Sequence, residues 1–203
     1  MGNSTATGAR RLPRAARRDQ ILAAATEAFA RAGFTATSLD DIASESGVTR
    51  VILYRHFDSK ADLYRAVLQR TRHNLGAEVG EPDYDEQIVD ALLAAAARDP
   101  AGFRLLFHQA AREPQFRVET DRFHAEMVAM AHDQLESSIP DAEWARWAAH
   151  LVPAATIAAI TAWLDAGQPD PDTAAARIRH ALNGIIDAAR SQHGGASSRG
   201  CPG

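Results

Sequence analysis

The 203-residue chain is poor in cysteine, in lysine and in long apolar runs. Its one cysteine, Cys201, excludes a disulfide bond within this chain and fits a reducing compartment, so we expect a cytoplasmic protein. The longest apolar run, residues 151–164, is interrupted by Pro153 and two threonines and is shorter than the ~20 residues that a membrane-spanning helix needs. We therefore expect no membrane partner.

Motifs of common enzymes are also missing. The sequence contains no HExxH, GxGxxG, Walker A or GxSxG motif, so it offers no support for those metal, nucleotide or nucleophile chemistries. Eight histidines are scattered along it; His124 and His132 lie two helical turns apart, but no third or fourth metal ligand can be assigned with them. We expect no enzymatic activity, no cofactor and no bound metal.

Charge is distributed unevenly along the chain. Residues 10–72 carry 12 basic against 7 acidic side chains, a net +5, whereas the remaining residues carry 10 against 19, a net −9, which together give the overall −4. A basic N-terminal third on an acidic body is typical of a DNA-binding domain attached to a second domain. Alanine-rich stretches and few β-branched runs predict that both domains are all-α.

Residues 37–60, TSLDDIASESGVTRVILYRHFDSK, contain two short helix signals separated by a glycine turn. Ser38, with Asp41 three residues later, forms a capping-box pattern that starts a helix. Gly47 suits the left-handed conformation that ends a helix, and Thr49 can cap a second one. Two short helices joined by a tight turn predict a helix-turn-helix, whose second helix enters the DNA major groove. The same pattern also fits an ordinary helical hairpin in an all-α core.

The stretch GFTATSLDDIASESGVTRVILYRHFDSKADLYRAVL, residues 33–68, resembles the DNA-binding region of the tetracycline-repressor (TetR) family of bacterial transcription regulators. The matching pieces are GFT, the apolar stripe of the first motif helix, GVT, LYRHF and SK followed by Leu63, all at the family's spacing without a gap. The resemblance covers roughly residues 17–72. It departs from the family at Val51 and Ile52, where smaller residues are commoner. Two β-branched side chains there either contact thymine methyl groups or change which bases are tolerated.

The resemblance implies a set of DNA-contacting residues. Base contacts come from the start of the recognition helix, where Arg50 can donate two hydrogen bonds to one guanine, and the other contacts reach phosphates. Arg17 belongs to a basic cluster that either lies on DNA phosphates or is a solvated tail. Tyr54 either contacts a phosphate or is a half-buried packing residue. The predicted DNA-binding residues are Thr37, Ser38, Thr49, Arg50, Val51, Ile52, Tyr54, His56, Lys60 and Arg17.

The expected organisation has about nine helices. We expect a disordered basic tail at 1–13, a helix-turn-helix DNA-binding domain at 14–58, a connecting helix at 59–76, an effector-binding and dimerisation domain at 83–190, and a flexible tail at 191–203. The second domain resembles the family only in its order of helices. This organisation implies a homodimer on a palindromic double-stranded DNA operator, and a repressor that an apolar small molecule releases.

Two residue sets in the second domain are predicted from apolar periodicity. The effector-pocket candidates, each of which could instead be plain core, are Phe103, Phe107, His108, Phe123, Met127, Trp147 and His150. The dimer-interface candidates on the last two helices are Ile157, Ile160, Thr161, Leu164, Ile178, Leu182, Ile185 and Ile186. Two other functions stay open: a helical small-molecule-binding protein whose helix-turn-helix is only structural, and a regulator controlled by a protein partner.

Overall fold

A computed structural model describes residues 12–80 and 87–191, which form nine α-helices and no strand. The all-α prediction is confirmed for these residues. Most of the two predicted tails, 1–13 and 191–203, and Cys201 lie outside the described ranges. The helices are α1 (Arg14–Ala36), α2 (Leu39–Glu45), α3 (Arg50–Tyr54), α4 (Lys60–Val79), α5 (Ile88–Arg98), α6 (Pro100–Arg104), α7 (Arg117–Leu135), α8 (Ala142–Asp165) and α9 (Pro171–Arg190).

Local capping determines where the motif helices begin. The Ser38 hydroxyl accepts the Asp41 N–H at 3.0 Å, and the Asp41 carboxylate accepts the Ser38 N–H at 3.0 Å, so the predicted capping box is confirmed. Hydrogen bonds from the Ser38 hydroxyl and N–H lower the pKa of Asp41. Gly47, at φ +62°, makes the turn, and the Thr49 hydroxyl accepts the Ile52 N–H at the start of α3.

An aromatic cluster joins α1 to α4. The Tyr64 ring lies 4.8 Å from Phe29 and 5.2 Å from Phe34, and Phe116 packs on it at 4.4 Å between ring centroids. The Tyr64 hydroxyl is buried without a hydrogen-bond partner among the described residues, and burial raises its pKa, with the nearby Glu113 carboxylate adding to the shift. Such a cluster is rigid because every ring is held by its neighbours.

The core around α1–α4 includes residues from much later in the chain. After α6 the backbone forms a π-helical turn at Leu105–Gln109 and two 3₁₀ turns at Ala110–Arg112 and Pro114–Phe116, and we refer to residues 105–116 as the linking segment. Leu105, Leu106, Ala110 and Phe116 of this segment are buried in the same core as α1–α4. The linking segment therefore belongs physically to both parts of the molecule.

The second core lies between α5, α7, α8 and α9. Buried residues of α8 and α9 pack on one another and on α5, while α7 packs along α8. Helix α8 alone, among the described helices, is long and apolar enough to cross a membrane by length and composition. Part of its apolar surface is buried against α5, α7 and α9 within this core.

Candidate DNA-binding surface and effector pocket

Helix α3 separates a buried face from an exposed one. Leu53 and Phe57 are fully buried beneath it, as the i, i+4 spacing predicts. On the outside, Val51 is 65% exposed and Tyr54 46% exposed, and Ile52 is half-buried. The residues at which the sequence departs from the resembling family thus lie on the surface and not in the core.

Arg50 is held in place at the start of α3. Its Nη1 donates to both carboxylate oxygens of Asp40, at 3.1 and 3.3 Å, and its Nη2 lies 3.5 Å from the Tyr54 hydroxyl. The guanidinium also lies over the Tyr54 ring, 5.7 Å from the centroid. The Tyr54 hydroxyl and then the Asp40 charge raise the pKa of Arg50. An oriented, exposed guanidinium of this kind can read a base edge.

A basic groove runs beside α3. It is lined by Arg14 and Arg17 of α1 together with Ile52, Arg55 and His56. Burial, followed by the charges of the α1 arginines, lowers the pKa of His56 and so favours the neutral form of its imidazole. The structure therefore brings the predicted phosphate contacts Arg17 and His56 together with Arg14, which belongs to the same basic cluster as Arg17, and with Arg55, to which the sequence interpretation gave no DNA contact.

The Thr37 side chain is not exposed to contact a DNA phosphate. Its side chain is only 4% exposed, and its hydroxyl donates to the Gly33 carbonyl at 2.7 Å and the Ala28 carbonyl at 3.2 Å. The prediction that Thr37 is a phosphate clamp is wrong for its side chain, because that hydroxyl already closes the end of α1. Ser38 and Thr49 remain exposed, each capping the following helix.

The Lys60 ammonium makes its hydrogen bonds within the protein. Its ammonium donates to the carbonyls of Phe34 at 2.8 Å, Thr37 at 2.9 Å and Thr35 at 3.5 Å, and lies 4.4 Å from the centroid of the Phe34 ring. An ammonium has three hydrogens, and all three have acceptors here. These contacts favour a structural role, joining the start of α4 to the end of α1, over the predicted phosphate contact.

The substitution Lys60→Ala is expected to lower the free energy of unfolding by about 2–3 kcal/mol, because it removes charge-assisted hydrogen bonds and leaves carbonyls unpaired. Denaturant titration of the full chain measures this. Arg55→Ala, which removes an exposed charge nearby, should stay within about 0.5 kcal/mol of the wild type. Unchanged stability of Lys60→Ala combined with weaker DNA binding would restore the phosphate role.

An apolar cavity of about 270 Å³ lies between the two parts of the molecule. Phe107, Phe123 and Met127 line it, as predicted. The wall also includes residues that the sequence interpretation did not assign to a pocket, because they come from several helices: Leu75, Gly76, Val79, Ile88, Leu92, Met130, Pro153, Thr156 and Ile157. Arg72 lies at the wall with its guanidinium 4.4 Å from the Phe123 ring, and its charge is matched by Glu126 at 2.9 Å. The cavity fits a largely uncharged apolar molecule.

The other predicted effector contacts lie elsewhere. His108, Trp147 and His150 are exposed and do not line the cavity. Phe103 is buried against Phe107 at 4.7 Å and lines a smaller neighbouring space of about 180 Å³. These four predictions are wrong for this cavity, because helical periodicity identifies a face without identifying what it packs against.

Most of the predicted dimer-interface residues belong to the core of the single chain. Ile160, Leu164, Ile178 and Leu182 are less than 9% exposed and pack between α8 and α9, so their assignment to an interface is wrong. Half-buried members of the set also contact this core, namely Ile157, Ile185 and Ile186, and the Thr161 hydroxyl donates to the Ile157 carbonyl within α8.

A different face of α8 is apolar and uncovered. Trp144, Trp147 and Leu151 are 44%, 41% and 36% exposed, and the two indole rings lie 5.3 Å apart. Exposed alanines continue the stripe at helical spacing: Ala154, Ala158 and Ala162. An exposed apolar stripe with two neighbouring tryptophans is typical of a protein–protein contact.

His132, Asp133 and Glu136 are the described residues that come closest to a metal-binding group, with candidate ligand atoms within 4.8 Å. His132 Nδ1 lies 3.5 Å from Glu136, one turn further along the chain. The two carboxylates are exposed, as acidic surface groups commonly are without a metal, so this cluster does not alter the expectation of no bound metal.

The exposed face of α3 above a buried helix-turn-helix core, joined to a helical body with an apolar cavity, is the architecture of helix-turn-helix transcription regulators. A sequence profile described as bacterial regulatory proteins, tetR family, matches residues 21–67. Residues 21–67 therefore carry a tetR-type DNA-binding domain, and the chain as a whole is similar to TetR-family transcription regulators.

The similar proteins agree with this resemblance. The transcriptional activator FasR of Mycolicibacterium smegmatis is 39% identical over 118 residues, which are 54% of each chain. The transcriptional repressor SCO4008 of Streptomyces coelicolor is 30% identical over 125 residues, 59% of this chain and 65% of that one. A TetR-like regulator from Rhodococcus sp. RHA1 superposes with a TM-score of 0.72 at 25% identity, covering 87% of this chain and 96% of that one. The chain thus spans about half to two thirds of these two curated relatives.

Proposed function

We propose that this protein is a cytoplasmic, sequence-specific DNA-binding transcription regulator. The observation that carries the proposal is the face of α3, where Arg50 and Val51 are exposed above the buried Leu53 and Phe57. A helix held from below, with a fixed guanidinium at its N-terminal end, fits the major groove. Arg17 and His56 beside it contact phosphates, and Val51 with Ile52 contacts thymine methyl groups.

The protein acts as a homodimer through α8. The uncovered stripe of Trp144, Trp147 and Leu151 supports this interface, and the small residues after it let two helices approach closely. A two-fold dimer presents two α3 helices to one side of the DNA. The operator is therefore a palindrome with half-sites one turn, ~34–36 Å, or a multiple of it apart.

An apolar small molecule in the cavity controls DNA binding. The cavity supports a small-molecule effector over control by a protein partner, which would need no such space. Two elements lead from its wall to the DNA-binding helices: α4, which carries Leu75 and Val79, and the linking segment, which carries Phe107. An effector acts only through unequal affinity for the two conformations that these elements separate.

The linking segment makes direct contact with the end of α1. The Glu113 carboxylate accepts the Phe34 N–H at 2.9 Å, and the Gln109 amide donates to the Ala30 carbonyl at 3.3 Å. Gly33, at φ +76°, lets the chain turn there, and a Cβ at this position would lie 3.2 Å from Glu113. Displacing Phe107 would therefore move groups that hold α1. π-helical turns occur frequently at functional sites.

Selection of duplexes from random DNA by the full chain tests the proposal. A palindrome is expected, with a log–log salt slope of about 0.9 for each phosphate contacted.

Metabolites are then screened for their ability to release the protein from its operator. Met127→Trp, which fills the cavity, should keep operator binding but lose release by the effector. His124→Trp, at an exposed position on the same helix, should keep both. A promoter fusion shows whether binding represses, as we propose. Failure to enrich any sequence would contradict the DNA-binding function and favour a helical small-molecule-binding protein.

A further inference from the structure

An acidic side chain lies on the surface proposed to face DNA. Asp40 is the second residue of α2, and its carboxylate accepts both hydrogen bonds from Nη1 of Arg50 described above. The two side chains are 69% and 54% exposed, so the core does not depend on them. The pair bridges the two helices of the motif at the end where base contacts are expected.

The capping of α2 does not require Asp40. Its neighbour Asp41 makes both contacts of the capping box with Ser38, and Asp40 adds only a favourable charge near the helix start. A carboxylate on a DNA-facing surface is otherwise unfavourable, since it repels phosphates. We therefore look for the role of Asp40 in its contact with Arg50.

We propose that Asp40 is a positioning residue that determines the base specificity of Arg50. The proposal rests on the DNA-binding function inferred above. On DNA without a suitably placed guanine, Asp40 neutralises the guanidinium and repels the backbone, so binding is weakened. At a guanine, Arg50 has five N–H groups and can donate to O6 and N7 while Asp40 keeps its orientation. Tyr54, on the other side of the guanidinium, limits its rotation. Asp40 thus weakens binding to DNA that lacks the guanine and supports binding to DNA that has it.

The near-isosteric substitution Asp40→Asn tests this. Affinities are measured for the selected operator and for a scrambled duplex of the same composition. The variant should bind the scrambled duplex more tightly, and the ratio of the two affinities should fall roughly 5- to 20-fold. Repeating the selection with the variant should show relaxed preference at one base of each half-site. The unfolding temperature is recorded for each variant, so that loss of folding is separated from loss of specificity.

Two controls isolate the role of the pair. Glu45→Gln removes one negative charge from the same helix, but Glu45 pairs with Arg31 of α1, so the affinity ratio should change less than about twofold. In an Arg50→Ala background, Asp40→Asn should have no further effect on the ratio.

An unchanged ratio in Asp40→Asn, or an equal fall in the Arg50→Ala background, would overturn the positioning role while leaving the DNA-binding function intact. A wild-type chain that enriches no duplex would overturn both.

Discussion

Replacing Leu151 by arginine is expected to make the protein monomeric and to weaken its binding to a palindromic operator by roughly 100-fold or more. Leu151 continues the exposed stripe of Trp144 and Trp147 on α8, so a guanidinium there would be buried unpaired between two subunits. Binding of two linked half-sites exceeds binding of one by such factors because the second contact is intramolecular. Sedimentation and fluorescence anisotropy measure the two effects.

Val118→Arg is the matched control. Val118 is 81% exposed on α7 and is not part of the α8 stripe, so this variant should stay dimeric and bind the operator as the wild type does. The Leu151 side chain is outside the core, so both variants should unfold near the wild-type temperature. A Leu151→Arg protein that still sediments as a dimer would place the interface on another surface.

Phe116→Ala is expected to cost about 3–5 kcal/mol of the free energy of unfolding. The ring is fully buried, 4.4 Å from Tyr64 and 5.0 Å from Phe34, with Arg65 over its face at 5.3 Å. Phe116 comes from the linking segment yet fills the core of α1–α4. The whole chain should therefore unfold in a single transition, and Phe116→Ala should lower the temperature of that one transition. Calorimetry of the full chain tests both statements.

Val118→Ala, two residues further along, should change the free energy of unfolding by less than about 0.5 kcal/mol, since that side chain is exposed. Two separate transitions, of which only the later one responds to Phe116→Ala, would show that the helix-turn-helix unfolds without the linking segment. The observed core then would not act as one cooperative unit.

The short-range features of this fold could be predicted from the sequence. The capping box of Ser38 and Asp41, the turn at Gly47 and the burial of Leu53 each depend on residues within a few positions of one another. The cap of α6 by Asp99 is of the same kind, with its carboxylate accepting the Gly102 N–H at 2.8 Å. Local hydrogen-bonding rules suffice for all of them.

Features that depend on distant residues could not be predicted. Lys60 finds its acceptors 23–26 positions away, and Phe116 packs into a core formed by residues far earlier in the chain. The apolar face of Ile160 was correctly identified as buried but assigned to another subunit, because periodicity does not say which surface covers a face. The π-helical turn at Leu105–Gln109 could not be predicted either, because the spacing of the apolar residues there fits an α-helix equally well.

The contact between Lys60 and the end of α1 also has a practical chemical consequence. Lys60 is the one lysine in this sequence, so amine-directed acylating reagents have a single side-chain target. Acylation requires the free amine, and this ammonium is bound to three carbonyls. The rate of modification at one atom therefore reports how often the joint between α1 and α4 opens, without any engineered label.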